Sequence, residues 1–401
     1  MTDKTQPAAV AFERGSNQSG MRAHNERVVL SMIRRHGALA KAEIARLSGL
    51  SAQTVSVIMR ALEADGLLVR GEPLRGKVGQ PSIPMGLAPG GAYFLGLKIG
   101  RRSADLVLTN FLGKVISRVH LTYRHPEPDA TVKFALDAVA QLSGQLTSGE
   151  RARIAGLGIA MPFQIWDWAR ALGVHGEAME IWRDRDIRAE IAAKFDFPVY
   201  LQNDASCACG AELVFGDAEV PRNFLYFYIG YFIGGGVVLN GSLYTGLSGN
   251  AGALGSMPVP APGDGGGQLI DVASLSVIER LLEEGGKDPQ TLWETPASWS
   301  IDADLLDQWI NGAAPGLAHA ISAASSVLDF EAVMIDGWIP EDLRARLVER
   351  TRAVLYKVNL AGITPPEIRE GTIGPDARAL GAASLPLSER FLMDRNAFQS
   401  A

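Results

Sequence analysis

The sequence has 401 residues, 47% of them hydrophobic, and a formal net charge of −6 at pH 7. This length and apolar content are enough for buried cores in two or three domains. No apolar run is long enough to cross a bilayer, and the polar N-terminus lacks the apolar segment of a signal peptide. Membrane-spanning and secreted proteins are therefore excluded, and we expect a cytoplasmic protein without membrane contact.

The N-terminal part has the pattern of a winged helix-turn-helix domain over residues 21–88. Residues 1–20 lack periodicity, and we expect them to form a mobile tail. Three short amphipathic helices then follow: one ends at Gly37, one begins near Lys41, and one runs from Ser51 to about Asp65. In the second helix, Ile44, Ala45 and Leu47 are expected to face inward. Segments 67–69 and 83–87 can pair as the hairpin of the wing.

The third predicted helix carries the side chains that we expect to read DNA. Val55, Ile58, Met59 and Leu62 form its apolar row, so the opposite face is free to enter a major groove. Short polar side chains and arginine suit base edges and phosphates there. The candidate DNA-binding residues on the helices are Lys41, Ser51, Gln53, Thr54, Ser56 and Arg60, and those on the wing are Arg70, Arg75 and Lys77.

Local charge favours DNA over a purely structural helical segment, which the spacing alone would permit equally well. Residues 21–90 contain ten Lys and Arg against five Asp and Glu, and residues 91–401 carry a net −11. A basic module on an acidic chain is what attraction to a phosphate backbone requires. The segments 43–51, 54–56 and 62–68 also resemble the winged-helix heads of bacterial sugar-responsive repressors.

The remainder has an α/β pattern that is repeated once. In residues 89–201, three strands (92–99, 103–109 and 113–121) precede helix 131–148, strand 154–160, helix 187–195 and strand 199–201. In residues 202–401, strands 224–229, 235–239 and 242–244 precede helices 269–283 and 305–328, strand 332–335 and helix 340–353. Two such lobes predict a duplicated actin-like fold, with a ligand in the cleft between them. We expect the C-terminal helix to pack back on the first lobe.

Seven segments in this part resemble the ROK family of bacterial sugar kinases and sugar-responsive transcription factors. They occur in the family's order along nearly the whole chain, which makes the resemblance specific. The segments are 96–100, 156–162, 202–205, 229–236 with Asn240-Gly241, 249–255, 335–337 and 380–383. The resemblance implies the actin-like fold and either a sugar kinase or a regulator.

Two departures from the family pattern argue against a kinase. The family's first phosphate turn begins with an aspartate, whereas this chain has Lys98 and continues to Arg101-Arg102. Its second phosphate turn carries Tyr231 and Phe232, where small residues would let the backbone approach the nucleotide. The three basic residues either bind the phosphate of an effector by charge or pair with carboxylates of the acidic body.

The sugar site of the family is only half kept. Asn203 and Asp204 match the pair that binds sugar hydroxyls in the kinases, although an Asn-Asp pair at a strand end also suits a helix cap. Three other sugar-binding side chains of the family are replaced by Ala253, Ser256 and Ile270. We therefore expect an unusual or less polar carbohydrate derivative. The other candidate ligand-binding residues are Gln164, His175, Glu177, Gly252 and Asp271, with Trp166 and Trp168 nearby.

We expect neither a metal ion nor a cofactor. The family's cysteine-rich zinc loop is replaced by the glycine-rich segment 260–268, and Cys207 and Cys209 lack partners that would complete a tetrahedral set. We interpret these two cysteines as buried, unreactive thiols.

The sequence thus predicts a DNA-binding regulator, most simply a repressor, of carbohydrate metabolism genes. Its expected partners are double-stranded operator DNA, a carbohydrate effector and further copies of itself in a homodimer or homotetramer. A twofold protein implies a pseudo-palindromic operator. Two alternatives remain at this point: an active sugar kinase with an added DNA-binding head, and a DNA-binding protein whose body only oligomerises.

Overall fold

The structure is a computed structural model that describes residues 18–73, 82–168, 176–217, 220–260 and 266–393. The chain divides into two compact units. The first comprises residues up to Gly86 together with Phe391–Met393, and the second begins at Leu87 and runs to Arg390. Within the described ranges, none of the helices is long and apolar enough to cross a membrane. Residues 1–17 of the expected tail and the wing residues Arg75 and Lys77 lie outside the described residues, whereas residues 18–20, which the sequence assigns to the tail, form the first turn of a helix.

The first unit is a winged helix-turn-helix built on three helices. These are α1 (Gln18–His36), α2 (Lys41–Ser48) and α3 (Ala52–Ala64), and a two-stranded sheet pairs β1 (Leu68–Arg70) with β2 (Met85–Leu87). Gly49 ends α2 in the left-handed region at φ 70°, which permits the sharp turn into α3. At the other end of the chain, the Met393 amide donates a 3.0 Å hydrogen bond to Ser31 Oγ in this unit.

The apolar rows of the three helices meet in one small core. Its members are fully or almost fully buried and come from all three helices, as the helical spacing predicts: Val29, Ile33, Ile44, Val55, Ile58, Met59 and Leu62. Leu47 is an exception, because its side chain is 41% exposed. The prediction that Leu47 faces inward is therefore wrong; α2 has only eight residues, and Ile44 alone is buried along it.

The second unit begins with a five-stranded sheet in the order β5-β4-β3-β6-β7. Strands β3 (Tyr93–Ile99), β4 (Ser103–Asn110) and β5 (Val115–Thr122) form the predicted antiparallel meander. Strands β6 (Ile154–Ala160) and β7 (Val199–Gln202) then add in parallel. The helices of this lobe are α4 (Pro128–Ser143), α5 (Ser148–Arg151), α6 (Gly176–Glu180) and α7 (Ile187–Ala192).

The second lobe repeats this arrangement, with a sheet in the order β10-β9-β8-β13-β14. After α8 (Asp204–Phe215), its meander is β8 (Phe224–Ile229), β9 (Gly234–Leu239) and β10 (Ser242–Tyr244). The elements that complete it are a short hairpin, further helices and two strands of the main sheet: β11 (Pro258–Val259), β12 (Gly267–Gln268), α9 (Ile270–Ala273), α10 (Leu275–Glu284), α11 (Thr291–Glu294), α12 (Ala303–Ser325), β13 (Ala332–Gly337), α13 (Glu341–Leu355) and β14 (Glu367–Glu370). The predicted two-lobe α/β architecture is confirmed.

One predicted helix is divided in two. Residues 269–283 were expected to be continuous, but Ser274 separates α9 from α10. Ser274 Oγ donates to the carbonyl of Ile270 and accepts a buried hydrogen bond from the Ile233 amide. The hydroxyl therefore competes with the helical hydrogen bonds and ties the break to the loop between β8 and β9.

The last helix, α14 (Ala377–Phe391), packs on a flat strip of the first sheet. Gly96 of β3 lies beside Gly158 of β6 in the parallel register, so neither strand presents a side chain there. A Cβ atom on Gly158 would lie 1.8 Å from the carbonyl oxygen of Ala382, and one on Gly96 would lie 2.2 Å from that of Ala379. Only glycine permits this contact between helix backbone and sheet.

We predict that Gly158→Ala lowers the free energy of unfolding by about 1–3 kcal/mol, because the added methyl forces α14 away from the sheet. Gly149→Ala is the matched control, since no atom lies within 4 Å of a Cβ built at this helical position. The control should be neutral or slightly stabilising. The measurement is the midpoint of urea unfolding, and equal midpoints for the two variants would contradict the close packing.

Candidate functional site

The solvent-facing side of α3 carries a line of exposed side chains. Gln53, Val57 and Arg60 are all exposed and lie four and three residues apart, so they share one face of the helix. Thr54 and Ser56 flank this line and are half-buried. The predicted polar face therefore exists, and its centre is an apolar side chain.

Two of the candidate DNA-binding residues form hydrogen bonds with each other at the start of α3. Ser51 is the N-cap, and its Oγ accepts a 3.1 Å hydrogen bond from the Thr54 amide. The two hydroxyls are also 2.8 Å apart. Capping of this kind holds the first turn of the helix in place. Ser51 and Thr54 thus orient α3, and each hydroxyl retains capacity for a further hydrogen bond.

The basic candidates differ in how fully their charges are paired within the protein. Lys41 Nζ lies 3.5 Å from Ser56 Oγ, and Arg60 Nε donates to the Ser56 carbonyl at 3.1 Å. Arg70 makes a two-pronged ion pair with Glu63, with Nε 2.6 Å from Oε1 and Nη2 3.3 Å from Oε2. Lys41 and Arg60 are exposed, whereas Glu63 already neutralises Arg70.

Val57 is a surface residue that the sequence pattern did not single out. Its side chain is 49% exposed, although the residues on either side of it belong to the core row or its edge. The signal was available in the spacing, because residue 57 follows Gln53 by four positions and precedes Arg60 by three. The polarity pattern does not indicate Val57, because a valine has no polar group that would mark it as a base-reading residue.

In the second unit, Lys98 at the end of β3 is buried within an ion-pair network. Its Nζ lies 2.6 Å from Ser103 Oγ and 3.0 Å from Asp105 Oδ2, and Asp105 Oδ1 lies 2.5 Å from His120 Nδ1. Burial lowers the pKa of the Lys98 ammonium. Burial opposes ionisation of Asp105 too, but Lys98 and His120 outweigh it and hold that carboxyl's pKa well below its usual range. Lys98 is thus committed to a carboxylate.

The two turns that correspond to the phosphate turns of the kinases are packed against each other. The Arg101 guanidinium lies 3.8 Å from the centre of the Phe232 ring and 5.6 Å from that of Tyr231. Burial lowers the pKa of Arg101 well below its ordinary value, and the negative charge of Asp204 offsets only part of this. A cation over aromatic faces in a buried setting is a favourable contact that fills the space between the turns.

Neighbouring side chains extend this stack across both lobes. Arg102 Nη2 lies 2.6 Å from Glu279 Oε1, and the indole of Trp293 donates to Glu279 Oε2 at 2.9 Å. Trp293 also lies against Tyr231, with ring centres 5.7 Å apart. We call Arg101, Arg102, Tyr231, Phe232, Glu279 and Trp293 the cation–π plug.

Little space remains beside Lys98. A cavity of about 10 Å³ touches Lys98, Asp105, Trp338 and Arg378. That volume corresponds to about one water molecule.

Asn203 and Asp204 both make contacts that serve the fold. Asn203 Oδ1 caps α8 by accepting from the Ala205 and Ser206 amides at 3.0 and 3.2 Å. Asp204 is buried, and its Oδ2 lies 3.3 Å from Nη1 of Arg378 on α14. The Arg378 guanidinium also lies 4.9 Å from the centre of the Tyr228 ring. The carboxylate that would act as general base in a kinase is therefore paired with an arginine.

The larger described cavity has a volume of about 480 Å³ and lies between the lobes, close to the ends of β6 and β7. We call it the effector cavity, after the role that we propose for it below. Most of its wall is apolar and belongs to the first lobe, while Ser248 and Asn250 come from the second lobe. It is lined by Met161, Pro162, Phe163, Gln164, Ile165, Trp166, Trp182, Arg185, Asp186, Ile187, Leu201, Ser248 and Asn250.

Among the predicted cleft residues that the structure describes, Gln164 and Trp166 lie in the wall of this cavity. Gly252 sits at φ 83°, and a Cβ there would lie 2.8 Å from the Gly236 backbone, so its role is close packing. Asp271 Oδ2 accepts from the Gln268 amide at 2.9 Å. Glu177 is exposed on α6, and His175 lies outside the described residues.

The cysteines are not arranged as metal ligands. Cys207 and Cys209 are both buried on α8, and burial raises the pKa of each thiol well above its ordinary value. Across the described ranges, the structure contains no cluster of three or more His, Cys, Asp or Glu side chains that could hold a metal ion.

Comparison with known families identifies both parts of the chain. The ROK family model matches residues 94–389, and the MarR family model matches residues 23–77. The second match covers the three helices and the beginning of the wing, and the first covers both lobes.

Two other proteins have sequences similar to this chain. An uncharacterised protein, y4fQ of Sinorhizobium fredii, is 25% identical over 92% of this chain and 91% of its own length. The xylose repressor of Bacillus subtilis is 26% identical over 61% of this chain. The alignment spans only 62% of that repressor, which is less than two thirds of its length.

Solved structures show the same fold at low identity. A ROK family transcriptional regulator, described as a homolog of the E. coli MLC protein, covers 92% of this chain and 97% of its own with a TM-score of 0.66 at 18% identity. A ROK glucokinase from Streptomyces griseus, solved with glucose and AMPPNP, covers 73% of this chain and 99% of its own, with a TM-score of 0.57 at 18% identity. Since the family model matches well over half of the sequence, this chain belongs to the ROK family.

Proposed function

We propose that this protein is a DNA-binding repressor of carbohydrate metabolism genes, whose ROK body senses a small carbohydrate and transfers no phosphate. The observation that carries the proposal is the cation–π plug, in which Arg101 stacks on Phe232 at 3.8 Å. It occupies the place between the two turns where a kinase of this family would hold nucleotide phosphates. The winged helix-turn-helix and the likeness to a xylose repressor support the DNA-binding role.

The chemistry of the two turns supports the loss of nucleotide binding. Magnesium needs hard oxygen ligands, and Lys98 supplies a cation in place of the family's aspartate. Lys98 and Arg102 are each paired with a carboxylate, which favours the structural interpretation of these residues over phosphate binding. Nucleotide would have to displace Arg101 from two aromatic rings and would find room for one water beside Lys98.

We further propose that the effector occupies the effector cavity. Its 480 Å³ lies within the range of small-molecule sites, and its walls come from both lobes. A ligand that contacts Gln164 on one side and Ser248 or Asn250 on the other would favour one lobe arrangement over another, which is what a sensor requires. In this proposal, Asn203 and Asp204 hold the cavity's surroundings in place.

On the DNA side, we propose that Gln53, Val57 and Arg60 of α3 face the major groove. Ser51 and Thr54 fix the start of that helix, and Lys41 contacts the phosphate backbone together with the wing. A homodimer or homotetramer would present two such helices to a pseudo-palindromic operator.

We expect no transfer of phosphate from labelled ATP to any sugar of a pentose and hexose panel, because Arg101 and Phe232 fill the phosphate site. A catalytically active ROK glucokinase serves as the positive control. Sugar-dependent transfer above the buffer level would support the rival proposal of a kinase with a DNA-binding head.

For the DNA contacts, we expect Arg60→Ala to weaken operator binding by about 1–3 kcal/mol and Gln53→Ala to relax base preference at one position. The operator is first selected from random DNA with the full chain, and affinities are measured by gel shift at fixed salt. Arg222→Ala, which changes an exposed arginine of the second unit, is the matched control. If both α3 variants bind like the wild type, α3 is not the reading helix.

Val57 offers a test at the level of one methyl group. An exposed valine in the major groove suits the C5-methyl of thymine, so replacing one operator thymine by uracil should weaken wild-type binding by roughly fourfold. Val57→Ala should bind the thymine and uracil operators equally well. Val327→Ala is the control, because Val327 is also an exposed valine but lies in the second unit. If uracil weakens the Val57→Ala variant as much as the wild type at every position, the assignment of Val57 fails.

A further inference from the structure

The wall of the effector cavity is more apolar than the recognition of a bare sugar requires. Phe163, Trp166 and Trp182 are aromatic, and Ile187 and Leu201 continue the same surface. Trp182 is buried and its indole donates to the Pro126 carbonyl at 3.0 Å, so this ring is held in place. A fixed aromatic and aliphatic wall binds an apolar surface and gains nothing from hydroxyl groups.

The charged side chains at the cavity are already engaged with the protein. Arg185 donates to Glu190 through Nε and Nη2 at 2.7 and 2.6 Å, and to Asp129 through Nη1 at 2.8 Å. Asp186 Oδ1 caps α7 by accepting from the Ala189 amide at 2.9 Å. An anionic ligand would have to break the Arg185 pairs and would meet the carboxylate of Asp186. The cavity therefore favours a neutral occupant.

The polar groups that face the apolar wall are neutral. Gln164 is an amide at one edge, and Ser248 and Asn250 supply a hydroxyl and an amide from the second lobe. Gln164 has φ 55°, a left-handed conformation that non-glycine residues adopt at a cost and that is concentrated at functional sites. These groups can orient one polar end of a ligand, with the apolar wall around its other end.

From this arrangement we infer that the effector is a neutral glycoside whose sugar carries an aromatic or bulky aliphatic aglycone. The aglycone lies against Trp166 and Trp182, and the sugar hydroxyls meet Gln164, Ser248 and Asn250. The inference rests on the proposed sensing role and narrows it to one ligand class. It also accounts for Ala253, Ser256 and Ile270, because a ligand anchored by its apolar part does not depend on the sugar-binding side chains that they replace.

The test measures the affinity of the full chain, by calorimetry, for matched neutral and charged ligands. The probes are the phenyl and methyl glycosides of glucose, galactose and xylose in both anomers, the free sugars, and phenyl glucuronide. At least one phenyl glycoside should bind about tenfold or more tightly than its methyl counterpart. Phenyl glucuronide, which adds a carboxylate, should bind more weakly than phenyl glucoside.

Variants locate the effect in the cavity. Trp166→Ala should remove most of the advantage of the phenyl glycoside, and Trp166→Phe should restore most of it. Trp299→Ala is the control, because this tryptophan packs on the core of the second lobe and does not line the cavity. Thermal unfolding of each unliganded variant shows whether it is folded.

The outcomes separate this inference from the proposed function. If methyl glycosides or free sugars bind as tightly as phenyl glycosides, the body is a sensor and the inference about the aglycone is wrong. If phenyl glucuronide binds most tightly, the neutral class is wrong. If no carbohydrate binds at all, the sensing role fails together with the inference, and the body is a scaffold.

Discussion

The stacking of Arg101 on Phe232 is the contact on which the character of the body depends. The guanidinium comes from the turn after β3 in the first lobe, and the ring comes from the turn after β8 in the second. A nucleotide held between these turns would require them to stay apart. In this protein the two turns are in contact through Arg101 and Phe232, and Glu279 and Trp293 extend that contact. This packing is the basis of our proposal that the body binds a ligand and transfers no phosphate.

Burying this much positive charge needs compensation, and the structure supplies it residue by residue. Lys98 is paired with Asp105, Arg102 with Glu279, and Arg378 with Asp204. A buried ion pair adds little net stability, but removal of one partner leaves an uncompensated charge and costs about 3–5 kcal/mol. Asp204 therefore compensates the buried charge of Arg378, and while it does so its carboxylate is not free to act as a base. Each of these basic residues is thus paired with a carboxylate.

The effector cavity, with a volume of about 480 Å³, lies between the lobes of the second unit. Its apolar wall belongs to the first lobe, and Ser248 and Asn250 belong to the second. A ligand that contacts both sides can shift the balance between lobe arrangements only by the difference in its affinity for them. An apolar aglycone bound by one lobe and a sugar held by the other would provide such a difference.

Periodicity and short motifs were enough to predict the two-lobe α/β fold, the winged helix-turn-helix and the core rows of α1 to α3, because these follow from local spacing. The break at Ser274 and the exposure of Leu47 were missed, since each depends on contacts or on helix length that spacing does not encode. The same distinction applies to the site. The sequence predicted that Lys98, Tyr231 and Phe232 disfavour nucleotide, because a lysine replaces a carboxylate and aromatic side chains replace small ones. Only the tertiary structure decided that Arg101 packs on Phe232 between the two turns and that Arg378 pairs with Asp204. It also decided that Trp182 and Leu201 line a cavity with Gln164. These residues are far apart in the chain, and their contacts exist only once both lobes have folded.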